Sequence, residues 1–521
     1  MLPASLSRYQ KEGAMAITAR QHYRAYVPNP LTEEDRGHVE ILFGGLHWRA
    51  ERVLQAVFEN LGYKGRPLPA ATRKDLLTGR ELADLGQCCP TSFTTGNLIN
   101  FLQAEADRLG RKEVAQKYAY VTAGSCGSCR FGQYHESYEL ALRNLGLEDF
   151  RLFLIAQNRM DQGAIKGGGI EIDMPFTLGC VWAILCTDVL RSLEYQTRPF
   201  EVEPGATERA VRESVDHLYQ VFRDRPRRGR KWSALLWHLS TNYFSDALHE
   251  VKKKFDAIEV DRLRPRPVVK ITGEFYLQIA EGEPNYNIHH WLEAEGAEVC
   301  PASIAVWFDY WMRFYVQNFE EYIEIDRSAR IKIGAIKTLQ KLFRWTYDRL
   351  RAALGNIPHE LPDQYELRRL AAPYFHHRLS GSEGDMLVGK ALWAHQNRKA
   401  HMICELSPYA CMPNTMSIGA MAGVIGKHPD LLYAPIEIKG DAEVHALSRC
   451  QMILTEAKKR AIGEYEAAME RTGLTPESAR TLLDARPEMK RATYCVPRGG
   501  AAGTAASVLL HLSEMVKRRA A

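Results

Sequence analysis

The chain has 521 residues with 45% hydrophobic content, enough to bury substantial cores and to form two or three domains. A formal charge of +5 is small for this length and gives little reason to expect a nucleic-acid partner. The longest apolar stretches, such as 176–190, read as too short or too polar to span a bilayer, and the N-terminus lacks the apolar core of a secretion signal, so a cytoplasmic protein without a membrane partner is expected.

In chain order, residues 38–43 read as a buried strand, Gly44 and Gly45 as a turn, and 49–61 as an amphipathic helix ending at Gly62. A second strand is expected at 118–122, running into a Gly- and Cys-rich loop and then a helix to about Leu145, with another strand at 150–156. Strands alternating with helices imply a parallel sheet covered on both faces, with ligands gathering beyond the carboxyl ends of the strands. Residues 207–258 turn helical and charged, and the Pro-rich segment ending at Pro267 suggests a boundary near Pro265. The second half then repeats the rhythm. It has a strand at 268–272, a helix at 287–295, mostly helix over 304–353, a strand at 401–404, a helix at 413–425 and a strand at 431–438. The expected fold class is α/β, with stacked flavodoxin-like, Rossmann-like domains. The division is 1–206 (N-terminal α/β domain), 207–264 (helical linker), 265–460 (second α/β domain) and 461–521 (C-terminal helical segment).

Eleven cysteines form no dense, even framework, so reduced thiols or metal ligands are expected in place of disulfides. Three segments stand out: QCCP over 87–90, GSCGSCRFGQY over 124–134, and ACMP over 410–413. Each joins a thiol to Gly or Pro turn chemistry. Pro90 and Pro413 suit the first turn of a helix, and Cys129 lies just before the helix that begins near Phe131. Cys88, Cys129 and Cys411 thus read as caps of three helices whose positive ends face a common centre, with Gly124 and Gly127 allowing close backbone approach. Iron–sulfur clusters need thiolates in such surroundings. Zinc competes as a reading, because Cys126 and Cys129 have knuckle spacing and Cys88 with Cys89 would complete a site. Cys180, Cys186, Cys300, Cys450 and Cys495 read as small buried apolar residues.

Other features are weaker. The basic run from Arg223 to Lys231 reads as a solvated loop. The segment 384–391 nearly matches a phosphate-binding loop, but Ala391 replaces the hydroxyl residue and no strand precedes it, so it reads as a helix start near Glu383. The triplet 167–169 lacks dinucleotide-loop spacing. Gln133, His135, Glu136, Glu274, His289 and His290 are polar candidates for substrate work, of which Gln133, His135 and Glu274 are the expected catalytic set. Gln133 and His135 would act close to a ligand loop.

The CRFGQY stretch at 129–134 resembles the G-x-C-R-F-G-Q-Y segment of proteins related to the 2-hydroxyacyl-CoA dehydratase and benzoyl-CoA reductase family, most closely the dehydratase-like portion found fused to activators. CCP at 88–90 with Gly96 following is similar to that family's Cys-x-Pro…Gly segment, and ACMP at 410–413 to its Gly-Cys-Met-Pro loop. ITGEFY at 271–276 resembles its Gly-Glu strand. The similarity runs with gaps from about His38 to Leu454. It implies a cluster held by Cys88, Cys129 and Cys411, with Arg130, Gly127 and Pro413 against the cofactor. It also implies single electrons from a separate ATP-hydrolysing iron–sulfur activator, a CoA thioester or other small-molecule substrate, and a homo- or heterodimer. Cys89, Cys126 and Cys404 depart from the family pattern. Together with the other three they make six thiols, which would suit the double-cubane centre of eight irons carried by some relatives in place of one 4Fe-4S cubane. The reaction implied is reduction or dehydration. A non-catalytic metal-binding scaffold is the alternative outside enzymes.

Overall fold

The computed structural model describes residues 31–82, 86–124, 129–156, 169–226, 231–379 and 383–520. Two all-parallel four-stranded sheets organise them. The first contains β1 (Glu40–Phe43), β2 (Lys64–Pro67), β3 (Tyr118–Gly124) and β4 (Arg151–Ala156), in the order β2-β1-β3-β4. The second contains β5 (Val268–Gly273), β6 (Glu298–Cys300), β7 (Met402–Pro408) and β8 (Leu432–Ile438), in the order β6-β5-β7-β8. The winding is identical, so the likeness between halves inferred from sequence is one of topology. In each sheet the strand order reverses beside the first strand, where parallel α/β folds open a crevice at the carboxyl ends. The protein is an α/β, flavodoxin-like fold.

The central strands form because their residues are apolar on both faces. Every residue of β7 is buried, including Glu405. The Glu405 carboxylate accepts from Tyr433 Oη at 2.8 Å, Ser417 Oγ at 2.9 Å and Asn414 Nδ2 at 3.2 Å, and burial raises its pKa despite these partners. The edge strands β2 (KGRP) and β6 (EVC) were not expected. Each pairs on one side only, which lets β2 contain a proline and a glycine.

Fourteen helices matter for the site and are numbered here in chain order. They are α1 (Trp48–Asn60), α2 (Arg73–Leu82), α3 (Cys89–Leu109), α4 (Tyr134–Asn144), α5 (Met174–Thr197), α6 (Ala206–Arg223), α7 (Tyr243–Asp256), α8 (Phe275–Ile279), α9 (Ala305–Glu321), α10 (Ala329–Ala353), α11 (Gly384–Gln396), α12 (Met412–Lys427), α13 (Glu443–Thr472) and α14 (Thr504–Ala520). By length and composition α5, with the turn after it to Phe200, is apolar enough to cross a membrane, contrary to the sequence expectation for this stretch. Most of it is buried instead in the largest core, against residues of α1, α6, α7 and α10. The helical segment after 207 therefore shares the first core, and α13 runs unbroken across position 460. The Pro-rich segment before β5 is pinned, since the Arg262 guanidinium donates to the carbonyls of Met489, Arg491 and Ala492. In the basic run, Arg225 is buried and donates to Pro175 O at 3.1 Å, in contact with His238, so this residue is not solvated; residues 227–230 lie outside the described residues.

A buried ionic network ties the halves together. Arg49 on α1 pairs with Glu194 on α5 and, at 2.8 Å, with Glu281 after α8. Arg198 pairs with Glu194 and, at 3.0 Å, with Glu293. His289 belongs here, beside Arg191 and Asn285, with burial holding its pKa well below the ordinary value; it is remote from the role expected of it. His290 is exposed on the short helix Ile288–Ala294 that also carries His289, 3.6 Å from Glu293.

Candidate functional site

Cys88, Cys129 and Cys411 each occupy the N-cap of a helix, as their Pro and Gly neighbours predict. Cys88 caps α3, Cys129 caps the 3-10 turn Arg130–Gln133 that leads into α4, and Cys411 caps α12. Pro90 and Pro413 sit in the first turns, where a missing N–H costs nothing. The Cys129 Sγ accepts from Phe131 N at 3.4 Å. Cys88 Sγ lies 3.1 Å from Tyr134 Oη and 3.2 Å from Thr91 Oγ1, and Cys411 Sγ lies 3.3 Å from Asn414 Oδ1. The loops touch directly, because Cys89 N donates to Tyr409 O at 3.4 Å. Ala410 is held at φ 63°, a left-handed conformation that costs a non-glycine residue about 1 kcal/mol or more.

Two buried carboxylates act on these thiols, Glu274 on all three and Glu383 on Cys129 and Cys411. Burial pushes Cys129 up to about 12, and Glu383, Glu274 and Cys88 push the same way. Burial likewise raises Cys411, followed by Glu383 and Glu274. Burial raises Cys88, with Thr91 and Tyr134 opposing and Glu274 adding to the rise. Glu274 N-caps α8, and its carboxylate accepts from Tyr276 N and Leu277 N, both at 2.9 Å. Burial outweighs those bonds and raises Glu274 to about 7. Glu383, the N-cap of α11, confirms the helix start expected there, but its charge acting on Cys129 and Cys411 was not foreseen. Gly389 on α11 serves packing, since a Cβ there would lie 2.3 Å from Leu367 O.

The remaining expected ligands diverge. Cys404 lies in the middle of β7, fully buried in the second core, where the neighbouring free thiol of Cys450 on α13 and burial raise its pKa. It shares that core with Cys89 and Cys450, whereas Cys88 packs in a different cluster. Cys89 is in the first turn of α3 within the apolar cluster that includes Leu76 and Phe93, its thiol raised to about 12 by burial. Cys126 and Gly127 lie outside the described residues, as do Gly167 and Gly168. Arg130 begins the turn after Cys129 and keeps a buried Nε without a hydrogen-bond partner among the described residues. Gln133 and Glu136 are exposed, and His135 Nδ1 lies 3.1 Å from Glu139 one turn along α4. Of the other cysteines, Cys186, Cys300 and Cys450 are buried and Cys180 is half-buried, but Cys495 is exposed.

A cavity of about 380 Å³ opens at the carboxyl ends of β1 and β2, between the halves. The Gly44–Gly45 turn, Glu51, Thr94 and Tyr120 contribute one wall, and Tyr276 another. Tyr276 joins the two regions. Its hydroxyl is raised well above the ordinary value by burial, with smaller contributions from Cys89, Glu51 and Glu274. Glu51 accepts from Leu46 N at 3.0 Å, yet burial raises it to about 7. No sequence motif marks Glu51, although its place after a strand-end turn is where the fold puts ligand contacts.

Glu51 makes the fold pH-sensitive. An unfolded glutamate titrates near 4.3, roughly, so the folded chain holds this proton more tightly. Its contribution to stability is complete below the unfolded value and is lost as pH rises through about 7. Glu51→Gln is expected to flatten that decline by on the order of 1–3 kcal/mol, read from urea unfolding at a series of pH values. Parallel curves for the two proteins would assign the decline to other groups.

The donor set suits an anionic metal–sulfur group: three thiols, each at a helix N-terminus with its partial positive charge. The thiols are protonated at neutral pH, so binding would release protons. Among the described residues no three His, Cys, Asp or Glu side chains are gathered closely enough to grip one metal ion. Comparison with known proteins finds no matching family model and no matching curated protein.

Proposed function

We propose that the chain is the iron–sulfur catalytic component of an ATP-activated, low-potential reductase or 2-hydroxyacyl-CoA dehydratase-like system. The observation that carries this reading is that Cys88, Cys129 and Cys411, distant in sequence, each cap a helix, with the Cys89 to Tyr409 backbone bond joining two of the loops and the Glu274 charge acting on all three thiols. The resemblance of the same three loops to the dehydratase and reductase family supplies the reaction class. Cys88, Cys129 and Cys411 would hold the cluster, with Arg130 and Pro413 beside it. A bound 4Fe-4S cluster supplies one-electron chemistry at low potential. The chain's own residues orient and protonate. The cavity admits a small molecule or the acyl end of a CoA thioester, and the Glu51 carboxyl holds or releases a proton near neutral pH. Single electrons would come from a separate ATP-hydrolysing activator, in the cytoplasm, with the chain working as a homo- or heterodimer.

The burial of Cys404 against Cys450 supports one cubane over the eight-iron centre. The test is iron, acid-labile sulfide and zinc per chain in protein purified without oxygen. About four irons are expected, and about eight would shift the reading to the double-cubane reductases. Little iron with about one zinc would overturn it in favour of a metal-binding scaffold.

A further inference from the structure

A second cavity, of about 270 Å³, lies towards the amino ends of the second sheet's strands, away from the cysteine loops at their carboxyl ends. Its walls include Arg262, which precedes β5, Glu298, which begins β6, and Lys399, which precedes β7. These are the amino ends of strands whose carboxyl ends lead to Glu274 and Cys411. Lys270 and His359 line both this cavity and a smaller pocket of about 30 Å³ that extends it towards Lys390.

The lining is rich in cations that its own carboxylates do not neutralise. Glu360 is engaged by Lys399 at 2.9 Å, and Glu298 by Arg498 at 3.8 Å and by Thr504 Oγ1 at 2.6 Å. Arg262 spends its donors on backbone carbonyls. Arg351 donates to Pro358 O at 2.8 Å, with only the exposed Asp348 as a counterion. Lys270 Nζ meets no carboxylate among the described residues; its partner is the Cys300 thiol at 3.3 Å. His359 Nε2 is buried without a hydrogen-bond partner among the described residues. Buried cations left without anions are expensive. Burial pulls Arg262 down to about 10 despite the nearby Glu298, and burial with the Lys270 charge pulls Lys390 down to about 7 despite Glu405 and Glu383.

We propose that this cavity is a ligand site, distinct from the cysteine centre, for a small oxyanion carried on a phosphate or a carboxylate, with Lys270 and His359 at its inner end and Lys399 and Arg498 at its mouth. The anion supplies the counter-charge that the protein omits, and His359 Nε2 gains the partner it lacks. The proposal does not depend on iron at the other site.

Inorganic phosphate and malonate, titrated separately into the full chain at constant ionic strength, test it by calorimetry and by the thermal unfolding midpoint. Saturable binding of at least one is expected. Phosphate alone would mark a phosphate-ester site, and malonate alone a carboxylate site. Lys270→Met should weaken binding by on the order of tenfold or more. Lys399→Met, at the mouth with a third of its side chain exposed, should weaken it in the same direction and keeps the test decisive if the Lys270 variant does not fold. Binding of neither anion, or binding unchanged in the folded variants, would overturn the proposal.

Discussion

Cys129→Ser chain purified without oxygen is expected to carry a small fraction of the wild-type iron while unfolding at the same urea concentration as the metal-free wild type. The two outcomes separate because Cys129 does two things. Its sulfur caps the turn that begins at Arg130, accepting from Phe131 N, and a serine hydroxyl is among the best N-cap acceptors. The cap therefore survives and only the soft thiolate donor is lost. Cys88→Ser and Cys411→Ser should behave alike, since both positions are N-caps with nearby polar partners. Cys404→Ser is the contrasting case. Its iron should be retained, and stability should fall by about 1–3 kcal/mol, because the hydroxyl would replace a thiol in the second core. Unchanged iron in the Cys129 variant would remove that residue from the ligand set, and loss of iron in the Cys404 variant would restore the six-thiol centre.

What could be read from the sequence follows physical strength of signal. The central strands β1, β3, β5 and β7 are apolar runs because both faces are covered, and that burial is written locally. The edge strands are not: KGRP and EVC pair on one side and need little burial, so their formation depends on the neighbour. The three capping cysteines were legible because proline in a first turn and glycine beside a thiol are local signals. Glu51 and Glu383 were not, because a carboxylate becomes informative only when distant elements bury it beside a thiol or a cavity. Cys404 misled through closeness in sequence to Cys411. It lies four residues from the end of β7, and at about 3.3 Å per residue that is about 13 Å along the strand. Strand alternation then turns it into the core that holds Cys450.

Gly96→Ala is expected to be the most damaging small substitution away from the cysteines, and the reason connects packing to the site. Helices α2 and α3 touch backbone to backbone at two glycines. A Cβ at Gly96 would fall 1.7 Å from Asp75 O, and one at Gly79 would fall 1.8 Å from Ser92 O. A carbonyl cannot swing aside as a side chain does, and Asp75 is further anchored by Thr72 N at 2.7 Å and Asn100 Nδ2 at 2.6 Å. The alanine must push α2 away bodily, at a cost of about 3 kcal/mol or more. Arg80 on α2 pairs with Asp441 at 3.2 Å and bonds to Lys439 O, so the displacement pulls on the second half. It also shifts the start of α3, where Cys88 sits, and iron uptake should fall together with stability. Gly463→Ala on α13 isolates the steric term. No atom lies within 4 Å of its added Cβ, and removing a helix-interior glycine should raise stability by roughly 0.5–1 kcal/mol. Urea midpoints that move in opposite directions for the two variants are the expected result. A Gly96→Ala chain as stable as wild type would show that α2 and α3 are not locked at this contact, and would remove the packing argument for where Cys88 is held.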